Sequence, residues 1–293
     1  MKILVTGAAG VLGSCVCAHL QAKGEDVVGT DLRHPGKVPY SFRVKNLLQR
    51  EVAYELLEQV PDAIVHLGNH PNQGRADAQR LYIENVSMNM NLFQAAHEVG
   101  VPKVIFASSI QAVCSAELAK SGDRLSIPYL PADAGWPQNP GNTYALSKCA
   151  TETMLEYFVR SGLASAIAIR FPMLLDEKQM NFIKNKEASQ TRHLKRPPWG
   201  KPSELFSYLV LGDAAALVAS ILEADLPGYR TYFPAASDNL LQRPTAQVRK
   251  EFYKSVPWKK DAPRGCGLVD LSQITRDTGW KPARLLSETQ ASG

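Results

Sequence analysis

Tyr144 and Lys148 stand four residues apart in a stretch, 142–161, that reads as helix, so both side chains emerge on one face, one turn apart. Ser109 follows a short apolar run in Phe106-Ala-Ser-Ser-Ile-Gln111. A phenol, an ammonium and a hydroxyl form a set able to move a proton to or from an alcohol while a hydride leaves its carbon. The phenol relays the proton, the lysine lowers its pKa and holds a ribose, and the serine polarises the reacting oxygen. A free tyrosine ionises near pH ~10, and bringing it to ~7 takes about 4 kcal/mol. An ammonium ~6 Å away supplies roughly 3 kcal/mol at an effective dielectric of ~20, and a second positive charge nearby adds a comparable amount. A tyrosine and lysine at this spacing also occur as an ordinary surface pair. The strand-end serine and an upstream glycine loop set this pair apart.

That loop is Thr6-Gly7-Ala8-Ala9-Gly10-Val11-Leu12-Gly13, between an apolar strand and a helix. Gly7 permits a tight turn, Gly10 lets the backbone approach a pyrophosphate, and Gly13 allows close helix packing. The helix N–H groups, at Val11 and Leu12, then face the phosphates. The spacing is G-x-x-G-x-x-G, and three glycines alone are a weak signal. Asp31, at the end of the second strand and followed by Leu32, strengthens it. A carboxylate there accepts hydrogen bonds from both ribose hydroxyls of an adenosine and repels a 2′-phosphate, which favours NAD. Arg33 lies two residues beyond and leaves NADP open.

The elements around these residues alternate. Strands are expected at 2–6, 26–30, 63–67, 103–107 and 164–170, with helices at 11–23, 51–59, 82–99 and 142–161. Short apolar strands separated by helices predict an α/β fold with a doubly wound parallel sheet, the Rossmann arrangement. After Pro172 the rhythm changes: 176–206 reads as irregular and rich in Lys, Arg and Pro, 211–224 as a returning helix, and 231–234 as an edge strand. Shorter helices follow at 245–255 and 271–278. Residues 1–172 with 207–228 are therefore expected to form the cofactor-binding domain, and 173–206 with 229–293 a smaller substrate lobe.

At this point the chain resembles an extended short-chain dehydrogenase/reductase of the NAD-dependent epimerase/dehydratase family. His66-Leu67-Gly68-Asn69 stands where that family usually has H-L-A-A, Asn85-Val86 lies early in a helix, Arg170-Phe171-Pro172 closes a strand, and Gly279-Trp280-Lys281-Pro282 resembles a late G-W-x-P. The resemblance implies that Asn46 and Leu47 flank an adenine and that Leu67, Gly68, Asn69, Asn85 and Ala107 line the cofactor path. It places Phe171 beside the nicotinamide and Ser109, Gln111 and Tyr144 at the substrate. Asn46 replaces the family's usual aspartate. Two departures bear on the reaction. Ser109-Ile110-Gln111 replaces the Thr-Asp-Glu of the 4,6-dehydratases, which disfavours dehydration. No basic residue lies between Lys201 and Asp213, where many nucleotide-sugar enzymes place a diphosphate-clamping arginine.

Composition narrows the partners. The chain has 293 residues, 45% hydrophobic and 21% charged, with net charge +5, so it is an ordinary globular sequence with no basic arm for nucleic acid. Five cysteines, with no zinc or C-x-x-C spacing, suggest a reducing, cytoplasmic setting and no metal. The apolar start could pass for a secretory leader, but the regularly spaced glycines are better explained by strand, loop and helix. No segment is long and apolar enough to span a bilayer. His66 reads as a packed core histidine, Cys149 lacks a histidine companion in sequence, and of Asn85, Asn89 and Asn91 only Asn85 is expected to face the cofactor. The segment 176–206 holds Lys178, Lys184, Lys186, Arg192, Lys195, Arg196 and Lys201 against Asp176, Glu177, Glu187 and Glu204. A positive lid favours an anionic ligand, and a solvated basic loop is the equal alternative. The expected activity is NAD-dependent dehydrogenation of a sugar or sugar acid by a homodimer. A nucleotide-sugar epimerase is the alternative, and a catalytically silent NAD sensor a third.

Overall fold

A computed structural model describes residues 1–71, 77–114, 127–185, 200–263 and 265–287. In chain order its elements are β1 (Lys2–Thr6), α1 (Val11–Ala22), β2 (Asp26–Asp31), β3 (Ser41–Val44), α2 (Arg50–Leu56), β4 (Ala63–His66), α3 (Ala78–Val99), β5 (Lys103–Ser109) and α4 (Thr143–Arg160). There follow β6 (Ser165–Phe171), β7 (Met173–Leu175), α5 (Glu177–Asn185), β8 (Tyr208–Val210), α6 (Leu211–Glu223), β9 (Gly228–Tyr232), α7 (Thr245–Phe252) and α8 (Ser272–Thr278). Two compact units emerge. The first comprises Met1–Ser108, Asn142–Ile169 and Ala214–Thr231; the second comprises Ser109–Gly141, Arg170–Asp213 and Tyr232–Gly293.

The first unit is built on a seven-stranded sheet of order β3-β2-β1-β4-β5-β6-β9. β1 pairs in parallel with β2 on one side and β4 on the other, and β2–β3 and β4–β5 are parallel as well. This is the doubly wound Rossmann arrangement anticipated from the alternating pattern. Ile3, Val5, Ile64, Val65, Val104 and Ile105 are fully buried. Such runs have no polar face to offer water, so both faces of the sheet must be covered. Phe93 and Leu92 of α3 and Phe158 and Leu155 of α4 join Leu4, Ile64 and Phe106 in one apolar cluster. Because the chain leaves β1 in both directions across the sheet, the loops after β1 and β4 diverge and leave a crevice between them.

Several boundaries differ from expectation. β3 was not foreseen: its burial pattern in SFRV is half exposed, which leaves little apolar alternation to read. The third helix begins at Ala78, where Asp77 Oδ1 accepts from Arg80 N. β9 lies at Gly228–Tyr232 rather than 231–234. Part of the stretch expected to be irregular is helical. At its start Asp176 and Gln179 exchange side-chain-to-backbone hydrogen bonds of 2.9 and 2.7 Å, a capping box, and Met180 and Ile183 are buried on one side of α5.

The second unit has its own apolar cluster, including Trp136, Phe206, Tyr208, Phe233 and Tyr253. Residues 109–141, assigned from the sequence to the first domain, belong here. Leu130 and Ala132 bridge to Trp258 and Val269, and Arg170 Nη1 donates to the carbonyls of Ala134 and Trp136. Backbone pairing outweighs sequence adjacency.

Candidate active site

The glycine loop sits at the carboxyl end of β1. Gly7 adopts φ 68°, and Leu67 O and Gly68 N pass 2.7 Å from where a Cβ on it would stand. A Cβ on Gly13 would fall 2.1 Å from Gly7 O, so Gly13 makes room for the loop itself rather than for the sheet. Gly10 N donates to Gly7 O (3.0 Å) and Gly10 O accepts from Ser14 N (2.9 Å). Gly10 is the N-cap of α1 and contributes no capping side chain. The first-turn N–H groups of Val11, Leu12 and Gly13 therefore have no intrahelical partner and present a positive dipole end. A carboxylate borders this cradle: Asp31 Oδ2 accepts from Ala9 N at 3.1 Å and Oδ1 from Leu32 N at 2.7 Å. A loop of glycines and alanines, open helix donors and a fixed acid fit the pyrophosphate and adenosine ribose of a dinucleotide.

The adenine-side residues divide. Asn46 Oδ1 accepts from Leu48 N at 3.1 Å, closing the turn. Leu47 is buried in the core with Val52 and Met88, so its backbone rather than its side chain is left to line a ligand. Asn91, given no role from the sequence, donates to Leu47 O at 2.9 Å and pins this turn to α3.

Lys148 is almost wholly buried. Its Nζ donates to Ala107 O at 2.8 Å and to Asn69 Oδ1 at 3.0 Å. It also lies 4.5 Å from the centroid of the Phe106 ring and 5.5 Å from that of Tyr144. Burial pulls Lys148 down to about 7, with the Glu152 carboxylate acting in the opposite sense. Glu152 itself accepts from Ser108 Oγ at 2.6 Å. The ammonium is thus beside the phenol, as the helical spacing anticipated, but less firmly protonated than an exposed lysine.

Two of the three asparagines of α3, Asn85 and Asn89, form a ladder with α4. Asn85 Nδ2 donates to Ser147 Oγ at 3.1 Å and Asn89 Nδ2 to Thr151 Oγ1 at 2.6 Å. Asn85 Oδ1 also accepts from His70 N at 2.8 Å, which fixes the loop after β4. The sequence predicts no cofactor contact for Asn89, and the signal for its place in the ladder is the matching i, i+4 spacing of Asn85/Asn89 and Ser147/Thr151. His66, expected as a core residue, is fully buried between Thr6 Oγ1 and Asn89 Oδ1, 2.6 Å from each. Burial lowers it to about 4, against the Asn89 hydrogen bond and assisted by Lys148.

Ser109, Gln111 and Phe171 belong to the second unit. Ser109 Oγ accepts from Gln111 N at 3.2 Å, capping a short 3-10 turn over Ile110–Ala112, which leaves its hydroxyl proton to donate elsewhere. Phe171 is buried and Gln111 half-buried. The five cysteines are free, and among the described residues no cluster of His, Cys, Asp and Glu could hold a metal ion. Among them, too, no helix is long and apolar enough to cross a membrane. Of the basic excess in 176–206, Lys186, Arg192, Lys195 and Arg196 lie outside the described residues. Within them, Lys178, Lys184 and Lys201 are balanced by Asp176, Glu177 and Glu204.

Residues 3–232 match the NAD dependent epimerase/dehydratase family. The chain belongs to that family. It is 25% identical over 236 residues to mouse (Mus musculus) short-chain dehydrogenase/reductase family 42E member 1, covering 76% of this chain and 59% of the relative. Identity to the uronate dehydrogenase of Pseudomonas putida is 28% over 172 residues, 58% of this chain and 59% of that enzyme. To the UDP-glucose 4-epimerase of Mycolicibacterium smegmatis it is 29% over 170 residues, 54% and 51% of the two chains. The chain thus covers between about half and three fifths of each of these relatives. Among solved structures, the UDP-glucose 4-epimerase of Thermotoga maritima superposes with a TM-score of 0.71 at 19% identity, over 98% of this chain and 95% of that one. At these identities the superposition speaks for the fold.

Proposed function

We propose that this protein is an NAD-dependent oxidoreductase that oxidises a secondary hydroxyl of a sugar or sugar acid. NAD held by the glycine loop and Asp31 would supply the acceptor for the hydride of the carbinol carbon. Tyr144 takes the hydroxyl proton onto its phenolate, and Ser109 donates a hydrogen bond to the oxygen on which the carbonyl forms. Lys148 supplies the positive charge that favours the phenolate. The observation that carries this reading is the seating of Lys148 Nζ between Ala107 O and Asn69 Oδ1, 5.5 Å from the Tyr144 ring. A lysine held by two acceptors has lost the freedom that a surface lysine keeps, so its place beside the phenol is built in. The glycine cradle and Asp31 hold the dinucleotide.

Net dehydrogenation of a compact substrate is supported by the absence of a basic residue between Lys201 and Asp213 and by the likeness to a uronate dehydrogenase. The likeness to a UDP-glucose 4-epimerase supports the second reading, transient oxidation and re-reduction of a nucleotide-sugar. The deciding experiment incubates the protein with NAD and panels of free sugars, uronates and UDP- or GDP-sugars. Steady growth of absorbance from reduced cofactor with the free sugars or uronates is expected. Stereochemical inversion of a nucleotide-sugar without net reduction would select the epimerase instead. Ile83 and Met90 on α3 and Leu146 and Tyr157 on α4 are exposed apolar side chains, and we read these helix faces as the contact of a homodimer. The five free cysteines fit a reducing, cytoplasmic compartment.

A further inference from the structure

Asn69 stands where alanine is usual in the H-L-A-A motif, and its side-chain oxygen accepts from Lys148 Nζ at 3.0 Å. We propose that Asn69 is a positioning residue for Lys148, and that a directed chain of buried hydrogen bonds from the glycine-loop strand keeps its carbonyl, not its amide N–H, turned toward the lysine. The inference goes beyond the cofactor contact assigned to Asn69 from the sequence. Its effect on turnover rests on the reading of Tyr144 and Lys148 given above.

The polarity of the chain can be followed atom by atom. Gly68 N donates to Thr6 Oγ1 at 3.2 Å, which frees the threonine hydroxyl proton for His66 Nδ1 at 2.6 Å. The opposite ring nitrogen, Nε2, then carries the histidine proton and donates to Asn89 Oδ1 at 2.6 Å. That same oxygen accepts from Asn69 Nδ2 at 2.7 Å, and Asn69 Nδ2 donates also to Gly68 O at 3.1 Å. Asn69 Oδ1 is left facing Lys148 Nζ at 3.0 Å. On the far side, Asn89 Nδ2 donates to Thr151 Oγ1, whose own proton goes to Ser147 O at 2.7 Å. Turning the Asn69 amide over would set NH2 against an ammonium and oxygen against oxygen at Asn89, two repulsions in a dry site.

Both ends of the chain are backbone groups, the Gly68 N–H and the Ser147 carbonyl. Neither can give up or take on a proton, so the chain orients and does not conduct. His66 is held neutral by burial, which keeps the direction unchanged across the working pH range. The charged and titratable groups facing Lys148 are His66 from β4 and Tyr144 and Glu152 on α4. Among the described residues, Glu152, the carbonyls of Asn69 and Ala107 and the face of the Phe106 ring favour the ammonium against burial. Removing one acceptor therefore moves the lysine toward its neutral form.

The test uses the full chain with lysine side chains labelled at Cε, following the Lys148 resonance by NMR against pH and assigning it by its absence in Lys148→Arg. In Asn69→Ala the Lys148 midpoint is expected to fall by about one pH unit, and in Asn69→Asp to rise. Asn69→Ser, which keeps a small polar group, is the second variant should alanine disturb folding, and a smaller fall is expected. Asn89→Leu, which frees the Asn69 amide to turn, is expected to shift the midpoint in the same direction as alanine. NAD affinity by calorimetry is expected to fall by less than about tenfold, since Asn69 lines the cofactor path and the lysine it holds is the one assigned to the ribose. With a turned-over substrate, the kcat–pH limb should move by the same amount. An unmoved Lys148 midpoint in the alanine and serine variants would overturn the proposal. If that came with a tenfold loss of NAD affinity, Asn69 would instead be a cofactor contact. The titration needs no substrate, so it stands or falls separately from the proposed reaction.

Discussion

Asp31, at the end of β2, accepts a hydrogen bond from the amide of Ala9, 3.1 Å away in the glycine loop. The residue proposed to bind the ribose therefore also braces the loop proposed to bind the pyrophosphate, and a second oxygen on the same carboxylate is held by Leu32 N at 2.7 Å. Calorimetry should show NAD binding more tightly than NADP, because the fixed carboxylate repels a 2′-phosphate. Asp31→Ala should lose about tenfold or more in NAD affinity, as both the ribose acceptor and the brace disappear. Tighter binding of NADP to the wild type would show that Arg33 dominates.

Replacing Tyr144 by phenylalanine removes one oxygen and its proton while keeping the ring that Lys148 faces at 5.5 Å. Turnover should fall by about 10²–10⁴-fold with NAD affinity nearly intact. Activity of the Phe variant within a few-fold of wild type would reject Tyr144 as the base.

Gly13→Ala sets a methyl group 2.1 Å from Gly7 O, a backbone atom that cannot swing aside. The loop must open or the helix retreat. A loss of about 1–3 kcal/mol in urea unfolding is expected, together with weaker NAD binding. An unchanged unfolding midpoint would mean the loop relaxes freely.

His66 gives a pH signature. It titrates at about 4 in the folded chain and near 6.5 when unfolded. Below pH ~6.5 the unfolded chain binds a proton that the folded one refuses, so stability declines as pH falls toward ~4, by about 3 kcal/mol in all, and no further beneath that. Urea titrations of wild type and His66→Gln from pH 7 to 4 should converge through this window. Parallel curves would show that the imidazole is not held neutral.

The sequence alone carried the architecture and most of the candidate site. Apolar strands alternating with helices leave a doubly wound sheet as the way to bury both strand faces, and the glycine loop, Asp31 and the Tyr144/Lys148 spacing are local patterns. Each depends on residues close together in the chain. What lay beyond the sequence was set by contacts across long separations. His66 meets Thr6 across 60 residues, Asn89 meets Thr151 across 62, and Asn69 meets Lys148 across 79. An asparagine on an amphipathic helix has no local signature that tells solvent from a buried acceptor. Likewise, residues 109–141 fall in the second unit because Leu130 and Ala132 bridge to strand-like segments past residue 255. Local spacing decides which elements form. Which polar groups end up dry, and therefore must be paired, is decided only when those elements pack.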